Sequence, residues 1–362
     1  MMKGLDLSEK FYRDVVLQLI EKYFPKLAGK YAAGLIGSGS DVLEFDDELS
    51  RHRDWGPRCQ IWLNDSDYRK YSKSLNQLFT EKIPRVFLGF GTNFLWDDRS
   101  QAFIPAKIEE EGVHLITITT VKNYLKDQFG LYTGSPNLLD WLYLSEQKLL
   151  ELTRGRIFYD SLGDITRVRK NFAYFPKDIQ CYKLLYIWES LDNHFETVKR
   201  CILRGDIFSA RTILCRIVEL MVRLVFLFNR RYCPGALKWF SREFYNLPRF
   251  ANEIGHQLEE ALILADINSS YQTIKNTILI LIKEFNQLEF RDELKFDFSQ
   301  FSKSINSPLQ SITNALRERM PLEFQNLSIT KANEPWITND IMFMKFEQNN
   351  NLKAMNKIQF LA

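Results

Sequence analysis

The sequence predicts an α+β protein, with a mixed sheet in residues 1–135 and a helical bundle in residues 136–300. Three observations point there. Short apolar runs bounded by Gly, Ser, Asn and Asp recur as far as Val121, as strands between turns do. Beyond the loop Gly130–Asn137 such runs become rare, and apolar residues recur instead at helical spacing over long stretches. The 362 residues are 45% hydrophobic and 14% aromatic, enough for a core in each of two domains. Residues 301–362, rich in Asn and Ser and weakly periodic, read as a C-terminal appendage.

Along the chain, Asp6-Leu7-Ser8-Glu9 reads as a capping box, with Asp6 at the cap and Glu9 reaching back. Phe11, Val15, Leu19 and Tyr23 follow at helical spacing, and Pro25 stops the helix. Tyr31–Ile36 is a strand entering a Gly-Ser-Gly-Ser turn. Cys59–Leu63 is a second strand, closed by Asn64-Asp65-Ser66-Asp67, and Asp67–Phe79 a helix. Val86–Phe90 and Val113–Val121 are further strands, with the acidic turn Glu109–Gly112 between them. Leu138–Thr153, Pro176–Leu191, Phe208–Phe228, Asn252–Leu264 and Tyr271–Phe285 are helices, each with an apolar stripe it cannot bury alone. Arg216, Glu219 and Arg223 fall at spacings of three and four, as an ion-pair ladder does. Tyr182, Tyr186 and Trp188 read as core aromatics, and the lone His194 and His256 receive no role.

Composition excludes several functions. Lys+Arg 48 against Asp+Glu 45 gives a net charge of +3, which provides no global field for a long nucleic acid. The five cysteines are scattered, without CxxC or zinc spacing, and fit a reducing, cytoplasmic compartment. The segment MMKGLDLSEKFYRDVV carries charges where a signal peptide needs an apolar core. The most apolar stretch, Thr212–Phe228, is broken by Arg216, Glu219 and Arg223 and reads as a buried helix, so no membrane is expected.

Chemistry is concentrated between Gly34 and Arg58. A strand ends in Gly37-Ser38-Gly39-Ser40, where glycines let backbone approach phosphate oxygens and amides and hydroxyls can donate to them. Asp46, Asp47, Glu48 and Asp54 follow, hard oxygen ligands able to hold a divalent ion against those phosphates. An ordinary turn and a solvated charge run are the competing readings.

The arrangement resembles the nucleotidyltransferase superfamily of polymerase beta and kanamycin nucleotidyltransferase. There Gly-Ser is followed by two carboxylates one residue apart on a strand, whose i and i+2 positions point the same way. A closer resemblance is to a bacterial family of nucleotidyltransferase-like proteins catalogued as a domain of unknown function. It is carried by IGSGSDVLEFDDELSRHRDWGPR (36–58), LDWLYLSEQKLLELTRGRIFYDSLGDIT (139–166), FPKDI (175–179) and RLVFLFNRRYCPGALKW (223–239). The resemblance implies a nucleotidyltransferase-like sheet domain closed over by a bundle similar to that of kanamycin nucleotidyltransferase. It implies metal-dependent transfer of a nucleoside monophosphate from an NTP, ATP first among them, to an acceptor hydroxyl on a small molecule or protein. Mg²⁺ or Mn²⁺ is the implied cofactor. On this reading Gly37, Ser38, Gly39 and Ser40 bind the nucleotide, and Asp54 and His52 take the catalytic metal-ligand positions. Asp46 and Asp47 are further candidate ligands, and Arg230, Arg231 and Lys238 candidate phosphate contacts.

One departure stands out. The family segment reads Ser-Arg-Asp-His-Asp-Trp-Gly, whereas this chain has Ser50-Arg51-His52-Arg53-Asp54-Trp55-Gly56. A carboxylate has become a histidine, although Mg²⁺ prefers oxygen. The strand expected to bring a third acid, Val113–Val121, offers only His114, and a His52–Asp54–His114 set would suit Mn²⁺ or Zn²⁺. Asp160 is either a turn acid or a base. Three readings follow: a nucleotidyltransferase, a catalytically degenerate nucleotide-binding regulatory or interaction protein on the same scaffold, or a helical interaction module.

Overall fold

The computed structural model describes residues 2–107, 109–285 and 306–325. Residues 301–305 and 326–362 of the expected appendage lie outside the described residues. The chain divides into two compact units, Met1–Asp140 with Gln147–Ala173, and Trp141–Glu146 with Tyr174 onward.

The first unit opens with α1 (Gly4–Phe11), a π-helical turn (Tyr12–Val16) and α2 (Leu17–Tyr23). A π turn inserts one residue into the helical register. The buried stripe therefore passes from Phe11 to Tyr12, Val16 and Ile20, each no more than 1% exposed, and leaves Val15 and Leu19 at its margin. The expected capping box does not form. The helix begins at Gly4, and Asp6 and Glu9 instead bind Arg156 Nη1 at 2.9 and 2.6 Å. The first helical amide, Gly4 N–H, donates at 2.8 Å to Asp46 Oδ2, a carboxylate from 42 residues away at the positive end of the helix.

Then follow β1 (Tyr31–Leu35), β2 (Arg58–Leu63), α3 (Asp65–Lys82), β3 (Val86–Phe87), β4 (Phe90–Gly91), β5 (Phe94–Asp97), β6 (Ala102–Pro105), β7 (Leu115–Thr119), α4 (Val121–Phe129), α5 (Asp140–Tyr143), α6 (Glu146–Thr153), β8 (Arg156–Asp160) and α7 (Asp164–Asn171). Four strands make one mixed sheet in the order β7-β2-β1-β8, with β1 antiparallel to β2 and β8 and β2 parallel to β7. Strand alternation sends Cys59, Ile61 and Leu63 into a core with Val16, Leu75 and Phe79, and leaves Arg58, Gln60 and Trp62 on the opposite face.

The strand expected at Val86–Phe90 is a tiny hairpin, β3–β4, reversing at Leu88 and Gly89, both at positive φ. The β5–β6 hairpin and β8 were not anticipated. β8 lies in the segment expected to be helical, yet it pairs with β1 across a slip in register between Ala33 and Gly34. Asp160 is a turn acid, its carboxylate accepting from Gly163 and Thr166 N–H at 2.9 and 3.0 Å. His114 packs edge-on against Phe79, away from His52 and Asp54 in its contacts, and burial pulls its pKa down.

The second unit is helical: α8 (Lys177–Leu203), α9 (Ile207–Phe228), α10 (Phe240–Tyr245), α11 (Ala251–Ile263), α12 (Ile267–Phe285), α13 (Asn306–Glu318) and α14 (Leu322–Gln325). α8 opens after Pro176 as expected but runs on past Leu191. A tight turn reverses the chain into α9, whose amide at Ser209 donates to the Asp206 cap at 3.0 Å. Trp188, Phe226 and Phe285 are fully buried, with Trp188 and Phe285 edge-on at 5.7 Å. The Arg216–Glu219–Arg223 ladder forms, with Arg223 Nε 3.0 Å from Glu219 Oε1. α13, inside the expected appendage, buries Leu309, Ile312 and Leu316 and packs on α8. Among the described residues, no helix is long and apolar enough to cross a membrane.

Candidate functional site

The corner at the end of β1 is shaped by the face of β2 opposite the core. Gln60 lies on that face, and its side-chain amide brackets Ile36, accepting from Ile36 N–H at 3.0 Å and donating to Ile36 O at 2.8 Å. The ladder thus continues one residue past the strand. Gly37, at φ 94°, donates its N–H to Glu151 O at 2.9 Å, which turns the chain out of the sheet.

Arg58, two residues before Gln60, braces the turn from beneath. Its guanidinium donates to the buried Asp41 at 2.6 and 3.2 Å and to Ser38 O at 3.1 Å. A two-point Arg–carboxylate contact of this kind is geometrically specific. Gly39, at φ 138°, passes so close that an added Cβ would collide with Arg58 Nη2 and Asp41 Oδ1, so only glycine fits. The carbonyls of Gly39 and Ser40 accept from Leu43 and Phe45 N–H. The amides of Ser38, Gly39 and Ser40 donate to no partner among the described residues, and the Ser38 side chain is exposed. Three successive amides are thus unspent, and unspent amides in a turn are donors available to an anion.

Asp46 and Asp47 of the following loop are spent on the fold. Asp46 is buried; besides Gly4 N–H, its Oδ2 accepts from Trp55 Nε1 at 3.1 Å, and its Oδ1 lies 3.3 Å from Lys3 Nζ. Asp47 caps the 3₁₀ turn Glu48–His52 through a reciprocal pair with Ser50, at 3.0 and 2.8 Å. His52 is exposed with both ring nitrogens engaged: Nδ1 bonds Leu49 O, and Nε2 accepts from Arg53 Nε at 2.9 Å. Those roles place the ring proton on Nδ1. Asp54 is not on a strand. At φ 47° it pairs with β6, donating its N–H to Phe103 O at 2.7 Å and accepting Phe103 N–H on Oδ1 at 3.0 Å.

The i and i+2 side chains that β2 presents next to the turn are Arg58 and Gln60, a cation and an amide. Among the described residues no three His, Cys, Asp or Glu side chains come together where they could share an ion. The residues present therefore do not fit a two-metal centre.

Arg230 and Lys238 belong to the second unit. Arg230 is exposed, donates to Gln180 Oε1 at 3.0 Å and lies over the Tyr174 ring. Lys238 is exposed with its ammonium over Trp239.

Two residues at the corner escaped the sequence reading. Glu151 on α6 is buried; its Oε1 accepts from Gln147 Nε2 at 2.8 Å, and its Oε2 has no hydrogen bond among the described residues, with Lys148 Nζ 4.0 Å away. Burial raises its pKa. Tyr124 on α4 is buried edge-on against Trp62, and burial together with the Glu151 charge pushes its hydroxyl pKa up. The available signal for Glu151 was an acid inside the apolar run Leu149-Leu150-Glu151-Leu152.

A nucleotidyltransferase-like protein from Exiguobacterium sibiricum 255-15 is similar in structure, with a TM-score of 0.34 and 11% identity over 84% of this chain and 89% of that one. No curated protein matches the chain. Residues 141–240 match the family model of a domain of unknown function, DUF4037.

Proposed function

We propose that the sheet unit binds the polyphosphate of a nucleoside triphosphate on the Gly37–Ser40 turn, and that this binding does not depend on the divalent-metal centre of the nucleotidyltransferases the sequence resembles. The observation that supports this most is the row of three unpaired amides at Ser38, Gly39 and Ser40, braced by the Arg58–Asp41 pair. Backbone amides recognise phosphate without selecting a base, and the Arg58–Asp41 pair holds the turn that carries them. The chain is then a nucleotide-responsive regulatory or interaction protein on a nucleotidyltransferase-like scaffold, acting in the cytoplasm.

A second reading, nucleotidyl transfer to an acceptor hydroxyl on a small molecule or protein, is favoured by one feature. Asp54 spends Oδ1 on Phe103 and keeps Oδ2 without a bond among the described residues, so one carboxylate oxygen remains for chemistry.

Calorimetry with ATP, GTP, CTP and UTP, each with and without Mg²⁺, tests the first reading. Binding is expected without the metal, and Ser38→Glu, which places a negative charge on an exposed side chain, is expected to weaken it about tenfold. Absence of binding by all four overturns it. Incubation with α-labelled nucleotide and Mg²⁺ or Mn²⁺ tests the second: label transferred to protein or to a small-molecule fraction establishes transfer, and its absence alongside tight binding rules transfer out.

A further inference from the structure

Gly37 has no side chain, and what surrounds the space it leaves differs from its neighbours. At Gly39 a Cβ would strike Arg58 and Asp41. At Gly37 the nearest atoms to that position are Tyr124 Oη at 3.6 Å and Gln60 Nε2 at 3.7 Å, both hydrogen-bond donors. Gln60 Nε2 spends one of its two hydrogens on Ile36 O. Tyr124 Oη has no hydrogen-bond partner among the described residues, although its residue is only 8% exposed. Two unspent donors thus converge on a small space beside three unspent amides.

We propose that the space over Gly37 seats an oxygen of the ligand's terminal phosphoryl group, with the Tyr124 hydroxyl and the second Gln60 N–H as its side-chain donors. This rests on the turn binding a polyphosphate. A phosphoryl oxygen in van der Waals contact with the Gly37 Cα, further out than the Cβ position, is the atom these two donors would bind. The seat has a charge behind it. Glu151 holds Gly37 through its backbone carbonyl, and its carboxylate acts electrostatically on Tyr124. The groups facing that carboxylate are Lys148 and Gln147 on its own helix and Tyr124 on α4, and Arg169 on α7 acts on the same Tyr124 hydroxyl with the opposite sign. Ionised, Glu151 opposes a polyanion in the seat; protonated, it does not. Glu151 is therefore a positioning residue that links ligand binding to proton uptake.

The test uses the full chain with ATP, inorganic tripolyphosphate and AMP. Tyr124→Phe keeps the ring and removes only the hydroxyl. It is expected to weaken ATP and tripolyphosphate roughly tenfold or more, as loss of a hydrogen bond to a charged group does, and to leave Tm and AMP binding unchanged. Weakening for ATP alone would place the seat on the nucleoside rather than the phosphate and overturn the proposal. Equal affinities for variant and wild type would also overturn it. Glu151→Gln, scanned from about pH 8 to about pH 5, is expected to flatten the rise in affinity that wild type shows on acidification; parallel slopes would remove Glu151 from the account. A wild type that binds neither ATP nor tripolyphosphate would sink the reading of the turn itself. A wild type that binds both while Tyr124→Phe binds equally well would sink only the seat.

Discussion

The Gly37–Ser40 turn and the Asp46–Asp54 loop lie a few residues apart in one connection between β1 and β2, and their polar groups meet opposite ends. In the turn, three amides donate to no partner among the described residues, and the side chains of Arg58 and Asp41 brace the chain there. In the loop, Asp46 caps α1, Asp47 caps a 3₁₀ turn, His52 bonds Leu49 O and Arg53, and Asp54 pairs with β6. The difference teaches that a carboxylate is a ligand only when its lone pairs are left over. A buried carboxylate that accepts two N–H bonds is occupied structurally, because freeing it would leave both donors unsatisfied.

The largest expected effect separates structure from chemistry in the loop. Asp46→Ala removes the acceptor of Gly4 N–H and Trp55 Nε1 and should cost about 3 kcal/mol of stability, seen as a lower denaturant midpoint. The folded fraction should still bind triphosphate. A metal-ligand role would show the reverse, with stability kept and binding lost. Gly39→Ala comes next. It forces a side chain at φ 138° into the Arg58–Asp41 brace and should cost about 2 kcal/mol and most of the triphosphate affinity. Full affinity in that variant would mean that the brace does not shape the site.

Glu151 should give a smaller, pH-dependent effect. Burial raises its folded-state pKa above the ordinary 4.5, so the folded protein binds the extra proton between those two values. Stability contributed by this group is then greatest in acid and falls as pH rises through the window. Glu151→Gln should raise Tm near neutral pH and lose that advantage toward about pH 4.5. A variant less stable than wild type at neutral pH would contradict this assignment. The smallest effect is expected for His52→Asp, an exposed site whose bonds are local: a change within ~0.5 kcal/mol and no gain of transfer activity. A large rise in metal-dependent transfer would restore the loop as a catalytic element.

Much of the architecture was legible in the residues. Strand–turn punctuation located β1, β2 and α3, and helical periodicity located α9, α11 and α12 to within a few residues, because these patterns follow from local geometry. What escaped depended on distant partners. Asp6 read as a cap, but Asp46 reached Gly4 first and Arg156 drew Asp6 away. Tyr31 to Leu35 was an evident strand, while β8 beside it was hidden because its five residues sit between helical stretches.

The same division holds at the site. The amino-acid order alone placed small residues at the end of the first strand, and its glycines permit the positive φ found at Gly37 and Gly39. It also fixed that β2 would show alternate residues to opposite sides. Only the tertiary structure decided which polar groups stayed unspent. Hydrogen-bond capacity is finite, and its allocation is settled by whichever donors and acceptors packing brings together: Asp46, Asp47 and His52 found partners, while the amides of Ser38, Gly39 and Ser40 and the Tyr124 hydroxyl have none among the described residues.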